Sequence, residues 1–229
     1  MDVNTFWASQ KNFINHYNNI SVHDGGIKLA EFNELIAGVI AYSKRAMNVG
    51  VGMRILDLGC WTGTSTCFFG EVAKKYNGSV VAIDNFSGYS NKKLIEEAKI
   101  FNIKSIFERN IAAQELDKYV ALVTGDAVDL SKNYAVSSFD IIFVDVGRSY
   151  YDMKKVLDVW YPKLAPYGLM CGYNADILVN NKFKEKFPDK NLEYFIKYFR
   201  GVDVAVGEKF ETAKTSETGS IWFYEKGCV

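Results

Sequence analysis

The sequence predicts an α/β chain built on a mostly parallel sheet wound with helices on both faces. Three observations carry that expectation. Short apolar runs rich in β-branched residues alternate with segments of helical period from residue 54 onward. An acidic residue, in turn Asp57, Asp84, Asp126 and Asp145, sits at or just past the end of each of the first four runs. Finally, 229 residues with 48% hydrophobic and 24% charged side chains suit one ordinary globular α/β domain.

Taken in order, residues 4–19 read as a polar helix bearing aromatics, and Gly25-Gly26 interrupts the chain. From Ile27 to Met47 apolar residues recur at Leu29, Phe32, Leu35-Ile36, Val39-Ile40 and Met47, a helical spacing with one core face; Gly50 and Gly52 end it. Arg54–Leu58 is a first strand, and Thr64–Tyr76 a helix with Thr62 or Thr64 as its cap. Ser79–Asp84 is a second strand, and Lys92–Asn110 is helical in one or two pieces. Val120–Thr124 and Phe139–Asp145 are the third and fourth strands. A helix over Tyr150–Leu164 stops before Pro166, and the remaining strands are Gly168–Tyr173 and Ser220–Tyr224. Right-handed crossovers place the C-terminal ends of parallel strands on one edge, where open α/β sheets bind ligands.

Composition excludes several classes. Lys plus Arg equals 27 and Asp plus Glu equals 27, so a basic nucleic-acid-binding surface is not expected. The N-terminus lacks the basic and apolar regions of a signal peptide, and no run approaches the ~18 apolar residues of a membrane span. Cys60, Cys67, Cys171 and Cys228 form no Cys-x-x-Cys pair and read as free thiols, which suits the cytoplasm. Asn19-Ile20-Ser21 and Asn77-Gly78-Ser79 match the glycosylation pattern by chance in such a compartment.

The loop after the first strand reads Asp57-Leu58-Gly59-Cys60-Trp61-Thr62-Gly63-Thr64-Ser65. Gly59 and Gly63 allow tight turns, and the amides opening the next helix favour a ligand carboxylate. Trp61 and Thr64 break the dinucleotide fingerprint Gly-x-Gly-x-x-Gly, which disfavours a nicotinamide enzyme. Gly-Lys-Ser/Thr of a phosphate loop is missing, and Ser65 lies too far past the strand for a nucleophile elbow.

This loop instead resembles the first motif of class I S-adenosylmethionine-dependent methyltransferases, Asp/Glu-x-Gly-x-x-x-Gly. The resemblance implies a Rossmann-like, seven-stranded doubly wound sheet with N-terminal helices and a helical cap insertion. It further implies that the loop residues Asp57, Gly59, Trp61, Gly63 and Ser65 hold the methionine part of S-adenosylmethionine. Asp84, followed by Asn85 and Phe86, corresponds to the acid that binds both ribose hydroxyls. Gly125-Asp126-Ala127 is similar to the element that reads the adenine. Residues 1–50 are then an N-terminal helical segment of the same domain, and 51–229 the cofactor-binding part, with a cap over 176–200.

The stretch Phe139–Asp145, Arg148-Ser149-Tyr150, Trp160–Leu164 and Gly168-Leu169-Met170 resembles the macrocin O-methyltransferase and cephalosporin-hydroxylase-like branch. Gly201-Val202, Ala205-Val206, Phe210 and Gly219–Trp222 are similar to its C-terminal end. That resemblance implies methyl transfer to a hydroxyl of a small-molecule acceptor, with Asp145 touching the cofactor and acting with Arg148 in catalysis. Relatives hold one Mg²⁺ with acids after strands four and five. This chain has Asp145-Val146-Gly147-Arg148 where the branch reads Asp-Gly-Asp-His, and Tyr173-Asn174 with Asp176 after strand five, so a metal ligand set is left open. Arg148 suits an anionic acceptor group. His16 and His23 fall where relatives order a lid. Phe183, Phe187, Leu192, Tyr194, Phe195, Tyr198 and Phe199 lie among lysines in the 176–200 stretch, which suits a cap over the acceptor or a homodimer face. Two other readings stand beside this one: metal-independent N- or O-methyl transfer, and a cofactor-binding protein with degenerate chemistry.

Overall fold

The computed structural model describes residues 2–5, 27–46, 52–88 and 91–227. The expected helix beyond Thr5, His16, His23, Gly25-Gly26, Met47, Gly50 and Cys228 lie outside the described residues. The chain divides into two compact units, Met1–Asp126 and Ala127–Val229.

In the first unit, helix α1 (Leu29–Ala46) buries Phe32, Leu35, Ile36, Val39 and Ile40, the face its spacing predicts. Strands β1 (Arg54–Leu58), β2 (Ser79–Asp84) and β3 (Val120–Thr124) follow in parallel, with β2 between the other two. Their apolar runs fill the interior: Ile55, Leu56, Leu58, Val80, Ala82 and Ile83 have no exposed surface. Helix α2 (Thr64–Lys75) packs on β1 and β2, and Phe68 meets Phe32 edge-on at 6.0 Å. The predicted threonine cap is absent. Gly63 occupies the N-cap with φ 93°, and no side chain caps the helix. The stretch from Lys92 resolves into two helices, α3 (Lys92–Ile100) and α4 (Ile103–Ala113). Each starts on an asparagine whose side chain accepts from amides of the first turn, Asn91 from Lys93 and Leu94, Asn102 from Ser105.

The second unit opens with α5 (Ala127–Leu130) and β4 (Phe139–Val144), whose last four residues are fully buried. Helix α6 (Tyr150–Trp160) is capped by Ser149, and its C-terminal Trp160 closes a ring cluster with Tyr134 and Phe139. The helix expected to reach Leu164 ends at Trp160, because Pro162 sits in a 3₁₀ turn over Tyr161–Lys163. Strand β5 (Leu164–Tyr173) accordingly starts earlier than Gly168. It tolerates Pro166 because Ala165–Gly168 bulge out of register between the Phe139–Leu164 and Ile141–Leu169 pairs. After β5 come α7 (Asn181–Lys184), α8 (Leu192–Tyr198) and α9 (Gly201–Lys209). The two-residue strand β6 (Lys214–Thr215) is too short to stand out in the sequence, and it pairs antiparallel with β7 (Ile221–Glu225). The strands make a seven-stranded, mostly parallel sheet, ordered β3-β2-β1 in the first unit and β4-β5-β7-β6 in the second.

Candidate functional site

At the end of β1 the chain makes a turn that only left-handed residues can build. Gly59, Trp61 and Gly63 have φ of 87°, 42° and 93°. Gly63 N–H donates to the Cys60 carbonyl at 2.7 Å, and Gly59 N–H to the Ile83 carbonyl at 2.9 Å. Glycine is needed at 59 and 63 on conformation, and at 63 also on space: a Cβ there would lie 3.1 Å from the ring of Phe107. Trp61 takes the strained conformation without that freedom. Its indole Nε1 is buried and has no hydrogen-bond partner.

That turn is tied to the end of β2. The Asp84 carboxylate accepts from the Trp61 amide at 2.8 Å through Oδ2 and from the Phe86 amide at 2.7 Å through Oδ1. Burial pushes the Asp84 carboxyl up from its ordinary range, and the amides of Trp61, Phe86 and Asn85 pull it back. A carboxylate offers about four lone-pair sites, so acceptor capacity remains beyond these amides. Phe86 is itself left-handed, with φ 55°, and Asn85 is exposed.

Asp57 and Ser65 depart from the expectation that they face a ligand. Asp57 is fully buried inside β1, and its Oδ2 accepts from Thr66 Oγ1 at 2.5 Å and Ser65 Oγ at 2.9 Å. The reason is position: Asp57 lies one residue before the strand end, so its side chain turns toward α2 and not the open edge. Burial raises this carboxyl to about 7, against the opposing pull of the two hydroxyls and with a further push from the Asp84 charge. It fastens the strand to the helix. Asp126 is exposed after β3, and the Ala127 carbonyl accepts from Trp160 Nε1 at 3.0 Å.

In the second unit Asp145 is the first residue past β4 and is half-buried, and Arg148 is exposed three residues on. Tyr173 closes β5, and Asn174 follows with φ 71°. Asp176 is engaged by Arg200 Nη2 at 2.8 Å.

A family model described as a methyltransferase domain matches residues 56–172, more than half of the chain. The chain belongs to this methyltransferase domain family. No protein with a curated description matches it in sequence. Among solved structures, it is similar to the O-methyltransferase from Bacillus cereus in complex with SAH, at 15% identity and a TM-score of 0.57 over 96% of this chain and 91% of that one. It is similar to cofactor-bound Rv0187 from MTB, at 11% identity and a TM-score of 0.57 over 94% and 88%. It also resembles the O-methyltransferase TomG from Streptomyces achromogenes, in complex with SAM, at 16% identity and a TM-score of 0.52 over 82% and 78%. These likenesses establish the α/β fold.

The methyltransferase domain also uses residues that sequence reasoning missed. Asn110, on α4 and almost fully buried, donates from Nδ2 to the Thr62 carbonyl at 2.7 Å, and Phe107 of the same helix packs against Gly63 and lies 6.3 Å from the Phe86 ring. They brace the glycine turn from 40 or more residues downstream, and no local motif announces them. Among the described residues, no group of three or more His, Cys, Asp or Glu is placed to hold a metal ion. No described helix is long and apolar enough to cross a membrane.

Proposed function

We propose that the chain transfers a methyl group from S-adenosylmethionine to a hydroxyl of a small-molecule acceptor. The observation that carries this reading is the junction of the glycine turn with Asp84. A partly desolvated carboxylate, held in place by backbone amides, keeps acceptor capacity for further donors. Two vicinal ribose hydroxyls need that arrangement. The buried, unpartnered Trp61 Nε1 adds a donor, and the left-handed Gly59 and Gly63 let a ligand approach the backbone closely. We read Gly59, Trp61, Gly63, Asp84, Asn85 and Phe86 as the cofactor side, with Asp126 and Ala127 at the adenine.

The cofactor, when bound, supplies an activated methyl on a sulfonium. What the protein must add is alignment and a more nucleophilic acceptor oxygen. We assign the second task to Asp145 as general base and the recognition of an anionic acceptor to Arg148. The branch reading, a macrocin-type or cephalosporin-hydroxylase-like enzyme, rests on the 139–176 stretch. Residues 1–50 belong with the remainder as one domain, and 176–200 forms a cap over the acceptor. One observation favours metal-independent transfer. Asp176, the acid nearest the end of β5, is paired with Arg200, and Asn174 at the strand end carries no charge, so a divalent ion would have few charged oxygen ligands there.

The test is calorimetry with S-adenosylhomocysteine, followed by incubation with labelled S-adenosylmethionine and a panel of phenols, sugars and hydroxy acids. Asp84→Ala is expected to weaken S-adenosylhomocysteine by about 2–4 kcal/mol in a folded protein. Equal affinity in the variant would remove the cofactor assignment.

A further inference from the structure

In the segment after β5 the Ala175 amide donates to the Ser220 carbonyl, and the amides of Asp176, Ile177 and Val179 all donate to one residue of α9. Asp203, in the first turn of that helix, is 2% exposed. Its Oδ1 accepts from the Asp176 amide at 2.7 Å and from the Ile177 amide at 3.3 Å. Its carbonyl accepts from the Val179 amide at 3.0 Å. A buried carboxylate is tolerated only where donors surround it, and here the donors are the loop's own amides. The loop begins on Asn174 in a left-handed conformation that an asparagine adopts at some cost, so something must hold it there.

The same helix presses on a second loop. A Cβ at Gly201 would lie 2.2 Å from the Tyr150 nitrogen and 2.7 Å from the Arg148 carbonyl oxygen. A Cβ at Gly207 would lie 2.5 Å from the Val179 carbonyl carbon. Glycine therefore lets α9 touch backbone on both sides: residues 148–150 after β4, and Val179 after β5. Helix α9 also packs along α6, whose Tyr150 hydroxyl donates to Glu208 at 2.7 Å.

We propose that Asp203 is a positioning residue that locks the segment after β5 to that after β4 through α9, holding Asn174 and Asp176 in fixed register with Arg148. The proposal rests on reading these two segments as the acceptor side. Asp203 itself touches neither cofactor nor acceptor; it acts through the amides of residues 176, 177 and 179.

The measurement is amide hydrogen exchange on the full chain, with Asp203→Ala and Asp203→Asn beside the wild type. Asp203→Ala removes the side-chain acceptor and should speed exchange at Asp176 and Ile177 at least ten-fold, with strand β1 unchanged and Val179, whose acceptor is the Asp203 backbone carbonyl, less affected. Asp203→Asn keeps a carbonyl oxygen and should hold exchange within about three-fold of wild type. S-adenosylhomocysteine affinity should stay constant in both. If an acceptor from the panel is methylated, Asp203→Ala should lower kcat at least ten-fold at constant KM for S-adenosylmethionine, and Asp203→Asn should restore it. Wild-type exchange at Asp176 and Ile177 in Asp203→Ala, or wild-type kcat, overturns the lock. Should Asp203→Ala fail to fold, exchange in the wild-type protein against denaturant decides: the amides of 176, 177 and 179 should open together with those of α9, and opening at lower denaturant than α9 overturns the lock. If no acceptor is methylated, the proposed activity fails while exchange still decides the lock.

Discussion

The glycine turn of the first unit and the β5 loop of the second both fix a strand end, and they do so by opposite means. The turn between Gly59 and Gly63 is shaped by backbone conformation, with three left-handed residues in five and one carboxylate across it. The loop after β5 has a single left-handed residue and is held by a side chain nearly thirty positions downstream, Asp203. The first device needs particular residue types at close spacing. The second needs only a buried acceptor and two glycines on a helix, and it leaves no local signature. A turn of the first kind can receive a common ligand on many proteins, whereas a loop of the second kind is free to vary with the acceptor it serves.

The largest effect that would sharpen this contrast concerns Asp145. If the second unit carries chemistry and the first carries binding, Asp145→Asn should keep S-adenosylhomocysteine affinity and lower turnover by ~10²–10⁴-fold, the usual worth of a general base. Steady-state rates with a methylated panel acceptor give the answer. Wild-type turnover would move the catalytic role to Arg148 or Tyr173, and a parallel loss of affinity would erase the division of labour.

Next in size is the pH dependence set by Asp57, the buried anchor of the first unit. Its carboxyl is raised by burial from 3.8 to about 7 in the folded chain. The folded state therefore holds its proton more tightly than the unfolded chain. The stabilisation is complete below about pH 4 and is lost as pH rises through about 7. Over that interval Asp57→Asn should gain stability relative to wild type by up to about 4 kcal/mol, with the gain growing toward neutral pH. Denaturant melts at pH 4, 5.5, 7 and 8 test the slope. A constant difference across the series would mean that Asp57 binds protons equally in the folded and unfolded chains.

A smaller effect is expected from Asn110→Ala, which leaves the Thr62 carbonyl without its side-chain donor. Stability should fall by about 1–3 kcal/mol, and S-adenosylhomocysteine should bind more weakly because the turn loses its brace. Unchanged affinity with lowered stability would show that the turn's own backbone suffices.

How far each region was legible follows from the same contrast. Strands β1 to β5 and the helices α1 and α2 are written in apolar period, and their limits fall within a few residues of the expected ones, β5 excepted. The Pro166 stop misled because a bulge can carry proline through a strand. Asp84 and the two glycines stood out because chemistry and conformation restrict those positions. Asp57 looked like a ligand contact, yet one residue of strand register turned it inward onto Ser65 and Thr66. Asn110, Phe107 and Asp203 were invisible because their roles depend on long-range packing. Helix α9 also hid: it is buried almost all round, so it has no polar face to set a period.

The smallest expected effect separates the two fasteners of the β5 loop from each other. Arg200 and Asp176 form an ion pair at 2.8 Å, but their side chains are 54% and 48% exposed. Water competes for both charges, and ordering two flexible side chains offsets much of the attraction, so such a pair contributes about 0–1 kcal/mol. Asp203, by contrast, is itself buried, and its carboxylate would lose two backbone donors that bulk water cannot readily replace. Arg200→Met keeps the aliphatic stem and removes the charge. It should shift the unfolding free energy by no more than about 1 kcal/mol, less at high salt, and leave amide exchange at residues 176–179 at the wild-type rate. A ten-fold acceleration at those amides in Arg200→Met would mean that the exposed pair, and not the buried carboxylate, fixes the loop.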